Sequence, residues 1–154
     1  LAEELIKVKQ KFVIIEQNIE AFEQASIQNY LVIRGDATNS NLLANVGINN
    51  TASTIIALTD DDATNLAIIL TARSQNPNID IIARANQEDT KEKLIIAGAN
   101  HVILSNEIAS LVASEYIGQP VAFEVIDDIL LNNEGAIMDE IEILDNSYYI
   151  NYYL

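Results

Sequence analysis

Five short apolar runs recur along the chain. Phe12-Val13-Ile14-Ile15 ends at Glu16, Tyr30-Leu31-Val32-Ile33 at Arg34-Gly35-Asp36, and Thr54-Ile55-Ile56-Ala57-Leu58 at Thr59-Asp60-Asp61. Ile79 to Ala83 ends at Arg84, and His101-Val102-Ile103-Leu104 forms the fifth. None alternates apolar with polar, which is the pattern of strands covered by helices on both faces. The segments between them carry helical spacing. Leu1, Ala2, Leu5, Ile6 and Val8 form a stripe, Leu66, Ala67, Leu70 and Arg73 recur within Ala63 to Ser74, and Asp89 to Ala97 reads the same way. Parallel strands need such crossovers, because a two-residue hairpin joins only antiparallel ones. The rhythm predicts an open α/β sheet.

The pattern changes after the fifth run. Asn106 can cap a helix to about Ile117, Gly118-Gln119-Pro120 interrupts it, and Pro120 suits the first turn of a second helix, Val121 to Leu131. That second helix is apolar nearly all round, so it must bury two faces. One can cover its own sheet, and the other is expected to meet a second copy of the chain. An ordinary core helix is the alternative. Asn132 to Gly135 reads as a loop, Ala136 to Leu144 as strand or helix, and Ser147 to Leu154 as a tyrosine-rich, β-prone tail. The expected organisation is a core over 1–105, crossover and dimerisation helices over 106–135, and the start of a truncated subdomain over 136–154.

Composition narrows the function classes. The 154 residues suit one ordinary domain. No apolar run reaches the roughly 18 residues that span a bilayer. The opening Leu1-Ala2-Glu3-Glu4 is acidic and unlike a signal peptide, so a soluble segment is expected. With no cysteine there is no disulfide framework, thiol nucleophile or thiolate zinc site. A formal net charge of −15 opposes binding to nucleic acid or to anionic membrane surfaces.

The candidate chemistry lies where the runs end. In an open parallel sheet these ends share one edge, where ligands bind. Glu16 stands where the dinucleotide fold places an acid to accept hydrogen bonds from ribose hydroxyls. Its charge would repel a 2′-phosphate. Its usual partner, a glycine-rich phosphate loop, is missing: the five glycines form no G-x-G-x-x-G array. Either the first strand and loop lie upstream of Leu1, or the segment lacks them. In the usual strand order the missing strand is central, and its loss leaves a gap between the strands ending at Glu16 and Leu58. The tyrosine-rich tail is one segment that could fill it.

Catalytic groups are scarce. His101, the sole histidine, opens an apolar strand and reads as a structural edge residue. There is no nucleophile elbow, and Tyr116 is followed four residues later by Pro120 rather than lysine. Asp60-Asp61-Asp62 lacks EF-hand spacing, and helix capping explains it more simply.

Five segments together resemble the RCK domains, regulators of potassium conductance, and their relatives among Trk- and Ktr-type transporter regulators. They are Phe12 to Asn18, Gly35-Asp36-Ala37-Thr38 with Leu42-Leu43 and Val46-Gly47-Ile48, Thr59 to Leu66, Ile81 to Asn86, and Ala97 to Ile103. The resemblance implies a Rossmann-like doubly wound parallel sheet without its first strand and glycine loop, plus C-terminal dimerisation helices. It further implies a non-enzymatic gating domain on the cytoplasmic face of the cell membrane. Its partners would be a membrane pore and a second copy, in a ring often of eight domains. Its ligand would be NAD, NADH, ATP or ADP. By analogy Glu16 would hold a ribose with Gln17 beside it. Asp36 and Ala37 would lie near the adenine, Thr59 and Asp60 near the phosphates or second ribose, and Arg84 would face the phosphates. Calcium-gated members carry carboxylates where this chain has Arg84 and Asn86, which argues against calcium. The rival reading is a fragment of an NAD-dependent oxidoreductase.

Overall fold

The structure, a computed structural model, describes residues 1–104 and Ser110. The elements expected over 106–154, including the Val121–Leu131 dimerisation helix and the tyrosine-rich tail, lie outside the described residues.

Strands and helices alternate as the apolar runs demand. After helix α1 (Ala2–Lys7) come β1 (Ile14–Glu16), α2 (Ile19–Ile27), β2 (Val32–Arg34) and α3 (Ser40–Asn45). Then follow β3 (Thr54–Ala57), α4 (Asp62–Gln75), β4 (Asp80–Ala85), α5 (Glu88–Ile96) and β5 (His101–Leu104). Every pairing is parallel. The register sets Glu16 beside Arg34, Ala57 beside Ala83, and Ala85 beside Leu104. Local signals fix the helix starts. The side chains of Asn18, Asn39 and Asp61 accept hydrogen bonds from the first backbone N–H groups of α2, α3 and α4. Asn29, just past α2, takes φ 61°, a left-handed turn that asparagine tolerates.

The sheet is in two pieces among the described residues: β1-β2, and β3-β4-β5. The break falls between the strands ending near Glu16 and Leu58, where the sequence led us to expect a gap. The core sits almost wholly on the larger piece. Leu43, Ile48, Ile69, Ile79, Ile81, Leu94 and their buried neighbours form one cluster, and no residue before Leu43 is fully buried. Helix α1 shows the same lack of cover. Its expected stripe reaches no core, and Val8, 72% exposed, lies beyond the helix end.

Helix α4 packs against β3 and β4 with a different face from the one its spacing suggests. The buried residues are Asn65, Ile68, Ile69 and Ala72, while Leu70 is exposed. Apolar residues run unbroken from Leu66 to Leu70, so periodicity alone admits more than one face, and packing on the sheet selects. Arg73 closes the far end of this helix. Its Nη1 donates to the carbonyls of Pro77 and Ile79 at 2.6 and 2.8 Å, and its Nη2 to Gly98 O and Asn100 Oδ1 at 2.6 and 2.9 Å. Asn100 Oδ1 also accepts from the Ile81 N–H at 2.9 Å. The guanidinium thus ties the entry of β4 to the turn before β5.

Gly98 takes φ +111°, and a Cβ there would stand 3.0 Å from Arg73 Nε. Gly98→Ala is therefore expected to lower unfolding stability by more than about 1 kcal/mol, measured by urea denaturation. The uneven core carries a second expectation. Amides of β1 and β2 should exchange with deuterium faster than those of Ile81 to Ala85, as read by residue-resolved exchange.

Candidate functional site

A cleft of about 480 Å³ opens where β1, β2 and β3 end. Its walls comprise Ile15 to Asn18 from β1, Gly35 to Ala37 from β2, Thr59 to Asp61 from β3, and Thr64 and Ile68 from α4. Of the seven ligand-binding positions expected from sequence, Glu16, Gln17, Asp36, Ala37, Thr59 and Asp60 line this cleft. Arg84 is not among the lining residues. Its Nη1 lies 2.8 Å from Oδ1 of the cleft-lining Asp60.

Each wall is held by local hydrogen bonds. Glu16 Oε1 accepts from the Asn18 N–H at 2.8 Å, so one carboxylate oxygen is anchored. Asn18 in turn caps α2, accepting from Glu20 and Ala21 at 2.8 and 3.1 Å. The Gly35 N–H donates to Glu16 O at 3.0 Å, continuing the β1–β2 ladder into the cleft. A Cβ on Gly35 would lie 2.6 Å from a Leu42 methyl, so any larger residue there would have to push the Leu42 side chain aside. Asp36 Oδ1 accepts from both the N–H and the hydroxyl of Thr38 at 2.8 Å.

The three consecutive aspartates take three different partners. Asp60 pairs with Arg84. Asp61 Oδ2 caps α4, accepting from the Thr64 N–H at 2.8 Å and its hydroxyl at 2.6 Å. Asp62 accepts from the Asn86 backbone and side-chain N–H groups, both at 2.9 Å to Oδ1. Among the described residues no group of three or more acidic or histidine side chains could hold a metal ion. His101 is exposed at the start of β5, beside Ile82.

Asn18 and Asp61, which stand among the polar strand ends but outside the seven expected positions, also line the cleft, and sequence reasoning overlooked Thr64 and, behind it, Asn65. The polar cap pattern at each helix start was the available signal. The cleft is a lobe of acceptors: its lining includes the carboxylates of Glu16, Asp36, Asp60 and Asp61 and no lysine or arginine. Such a wall favours donor groups, such as hydroxyls or amines, over bare anions.

Residues 1–105 match the model of the TrkA-N domain. The chain belongs to the TrkA-N family. Potassium channel protein 1 of Methanocaldococcus jannaschii is 32% identical over 136 residues, 87% of this chain and 40% of its own length. A Trk system potassium uptake protein TrkA homolog of Pyrococcus horikoshii is 33% identical over 138 residues, 84% of this chain and 58% of its own. Among solved structures, the GsuK RCK domain superimposes with a TM-score of 0.67 at 31% identity, over 80% of this chain and 26% of that one. GsuK bound to NAD and GsuK bound to ADP each match at 29% identity with a TM-score of 0.60, over 66% of this chain and 18% and 27% of theirs. The TrkA-N chain spans less than half the length of three of its curated relatives. Among the described residues no helix is long and apolar enough to cross a membrane.

The hydrogen bonds from Thr38 to Asp36, and from Thr64 to Asp61, hold both carboxyls below their ordinary value of 3.8. A depressed folded value means that these bonds add stability above the unfolded value, and that the contribution is lost as pH falls through the folded one. In denaturation series, Asp61→Ala should be less stable than the parent near neutral pH. The difference should shrink as pH drops below 3.8.

Proposed function

We propose that this TrkA-N domain is the ligand-sensing, gating domain of a potassium channel or potassium transporter, acting at the cytoplasmic face of the cell membrane. The observation that carries the proposal is the convergence of Glu16, Gln17, Asp36, Ala37, Thr59 and Asp60 on one cleft at the carboxyl ends of parallel strands. That is where open α/β sheets bind nucleotides. The ligand is an adenine nucleotide, NAD or NADH, ATP or ADP. In support, GsuK has been solved bound to NAD and to ADP. Glu16 keeps one carboxylate oxygen beyond its bond to Asn18 for a ribose hydroxyl. Arg84 is paired with Asp60 through Nη1, so a phosphate would compete with that carboxylate or use the other guanidinium N–H groups. Calcium is disfavoured because Asp60, Asp61 and Asp62 are committed to separate partners, and a calcium ion takes six to eight oxygens.

The domain works without turnover. Two copies pair through the Val121–Leu131 helix, and pairs build a ring, often of eight domains, beneath a membrane pore. Nucleotide shifts the angle within the pair. It can bias the pore only by its difference in affinity for the two states. The rival reading, an NAD-dependent oxidoreductase fragment, has less support, since the chain's relatives include a potassium channel protein and a Trk system potassium uptake protein homolog.

The test is calorimetry on the full chain with NAD, NADH, ATP and ADP. One of them should bind, and Glu16→Gln should weaken it about tenfold or more, as loss of a charged acceptor does. Absence of heat with all four would remove the nucleotide reading. Steady NADH oxidation with added carbonyl compounds would instead favour the oxidoreductase.

A further inference from the structure

Asn65 is the one buried polar residue among those described, at 0% exposure. It stands in the first turns of α4, behind the cleft wall, and all four hydrogen-bonding positions of its amide are used. Oδ1 accepts from the Thr59 N–H at 3.0 Å and from the Thr59 hydroxyl at 2.8 Å. Nδ2 donates to Thr59 O and to Arg84 O, both at 3.0 Å. The orientation of the amide is fixed by these partners. Reversed, it would set its NH2 against a backbone N–H and its oxygen against two carbonyls.

This arrangement decides what Thr59 can offer a ligand. Its hydroxyl has one proton. Two acceptors lie within reach, Asn65 Oδ1 at 2.8 Å and Asp61 O at 3.0 Å, and each already accepts from one backbone N–H. The shorter contact, to Asn65 Oδ1, is the one that most needs a proton between its oxygens, so the proton goes there. Turning it toward the cleft would leave two oxygens 2.8 Å apart with no hydrogen between them. What remains on the cleft side is lone pairs.

We propose that Asn65 is a positioning residue that makes Thr59 an acceptor only, so the ligand group seated at Thr59 is a sugar hydroxyl and not a phosphate. This rests on the nucleotide reading above and sharpens it. A phosphate has no proton to give Thr59 at neutral pH, whereas a ribose hydroxyl has. Glu16 closes one sheet piece's β1 and Thr59 follows β3 of the other, so a ligand that spans the cleft can present a sugar hydroxyl to each. Asn65 does this at a distance. It touches no ligand, and it ties the end of β3 to the end of β4 through the Arg84 carbonyl.

Two probes separate sugar from phosphate: ADP, and ADP-ribose, which adds a second ribose beyond the same phosphates. Calorimetry on the full chain should show Thr59→Val weakening ADP-ribose about tenfold while ADP is unchanged, with Thr59→Ser restoring binding. Asn65→Ala and Asn65→Ser should weaken ADP-ribose in the parent chain but add nothing in the Thr59→Val background. A purely structural role would weaken both probes in both backgrounds. Equal loss of the two probes in Thr59→Val, or loss of neither, overturns the proposal. That holds even if circular dichroism shows both Asn65 variants unfolded. If the parent binds neither probe but binds NAD, NADH or ATP, only this inference falls; if it binds none of them, the nucleotide reading falls too. If it binds both and Thr59→Val does not discriminate, only this inference falls.

Discussion

Parallel pairing forces the segments that follow β1, β2 and β3 to one edge of the structure, and the rest of the molecule depends on that constraint. Each strand must be re-entered from the far end, so a helix covers the sheet between every pair of strands. The chain leaves Glu16, Arg34 and Ala57 in the same direction, and the residues that follow meet without any long-range sequence signal to draw them together. The cleft is a by-product of this geometry. Its chemistry comes from what stands at the exits: carboxylates, a threonine and an asparagine cap.

The five strands were legible because strands covered on both faces leave unbroken apolar runs. Their ends were less so. Phe12 and Val13 precede β1, and β4 runs on through Arg84 to Ala85, because ladder hydrogen bonds, not hydrophobicity, set the last paired residue. The face of α4 was misjudged for a related reason. Five apolar residues in a row give the helix no unique stripe, and the sheet chose the side that carries Asn65. That asparagine was illegible as a site residue. In sequence it is one polar letter after three aspartates and two small residues, and only the fold brings the Thr59 and Arg84 carbonyls to its amide. Of the six cleft positions foreseen, Glu16 closes β1 and the others stand within three residues of a strand end. Arg84 lies within β4, and its reach is set by the neighbouring Asp60, a pairing across 24 residues that spacing does not reveal.

The halves of the sheet differ in how they are held. β3, β4 and β5 share two helices and a continuous core, with Arg73 and Asn100 locking their entry ends. β1 and β2 have each other, one crossover helix and partly buried side chains. The two walls of the cleft thus belong to parts of unequal rigidity. A ligand bridging them would tie the looser part to the firmer one, which is the kind of coupling a switch requires.

The run Asp60-Asp61-Asp62 looks in sequence like one acidic patch, yet each position answers to a different neighbour. In related chains these three columns should therefore drift independently. The first should vary together with position 84, the second should admit serine, threonine or asparagine as alternative caps, and the third should keep an acceptor for as long as position 86 keeps its amide. Three identical letters side by side here amount to three separate inheritances.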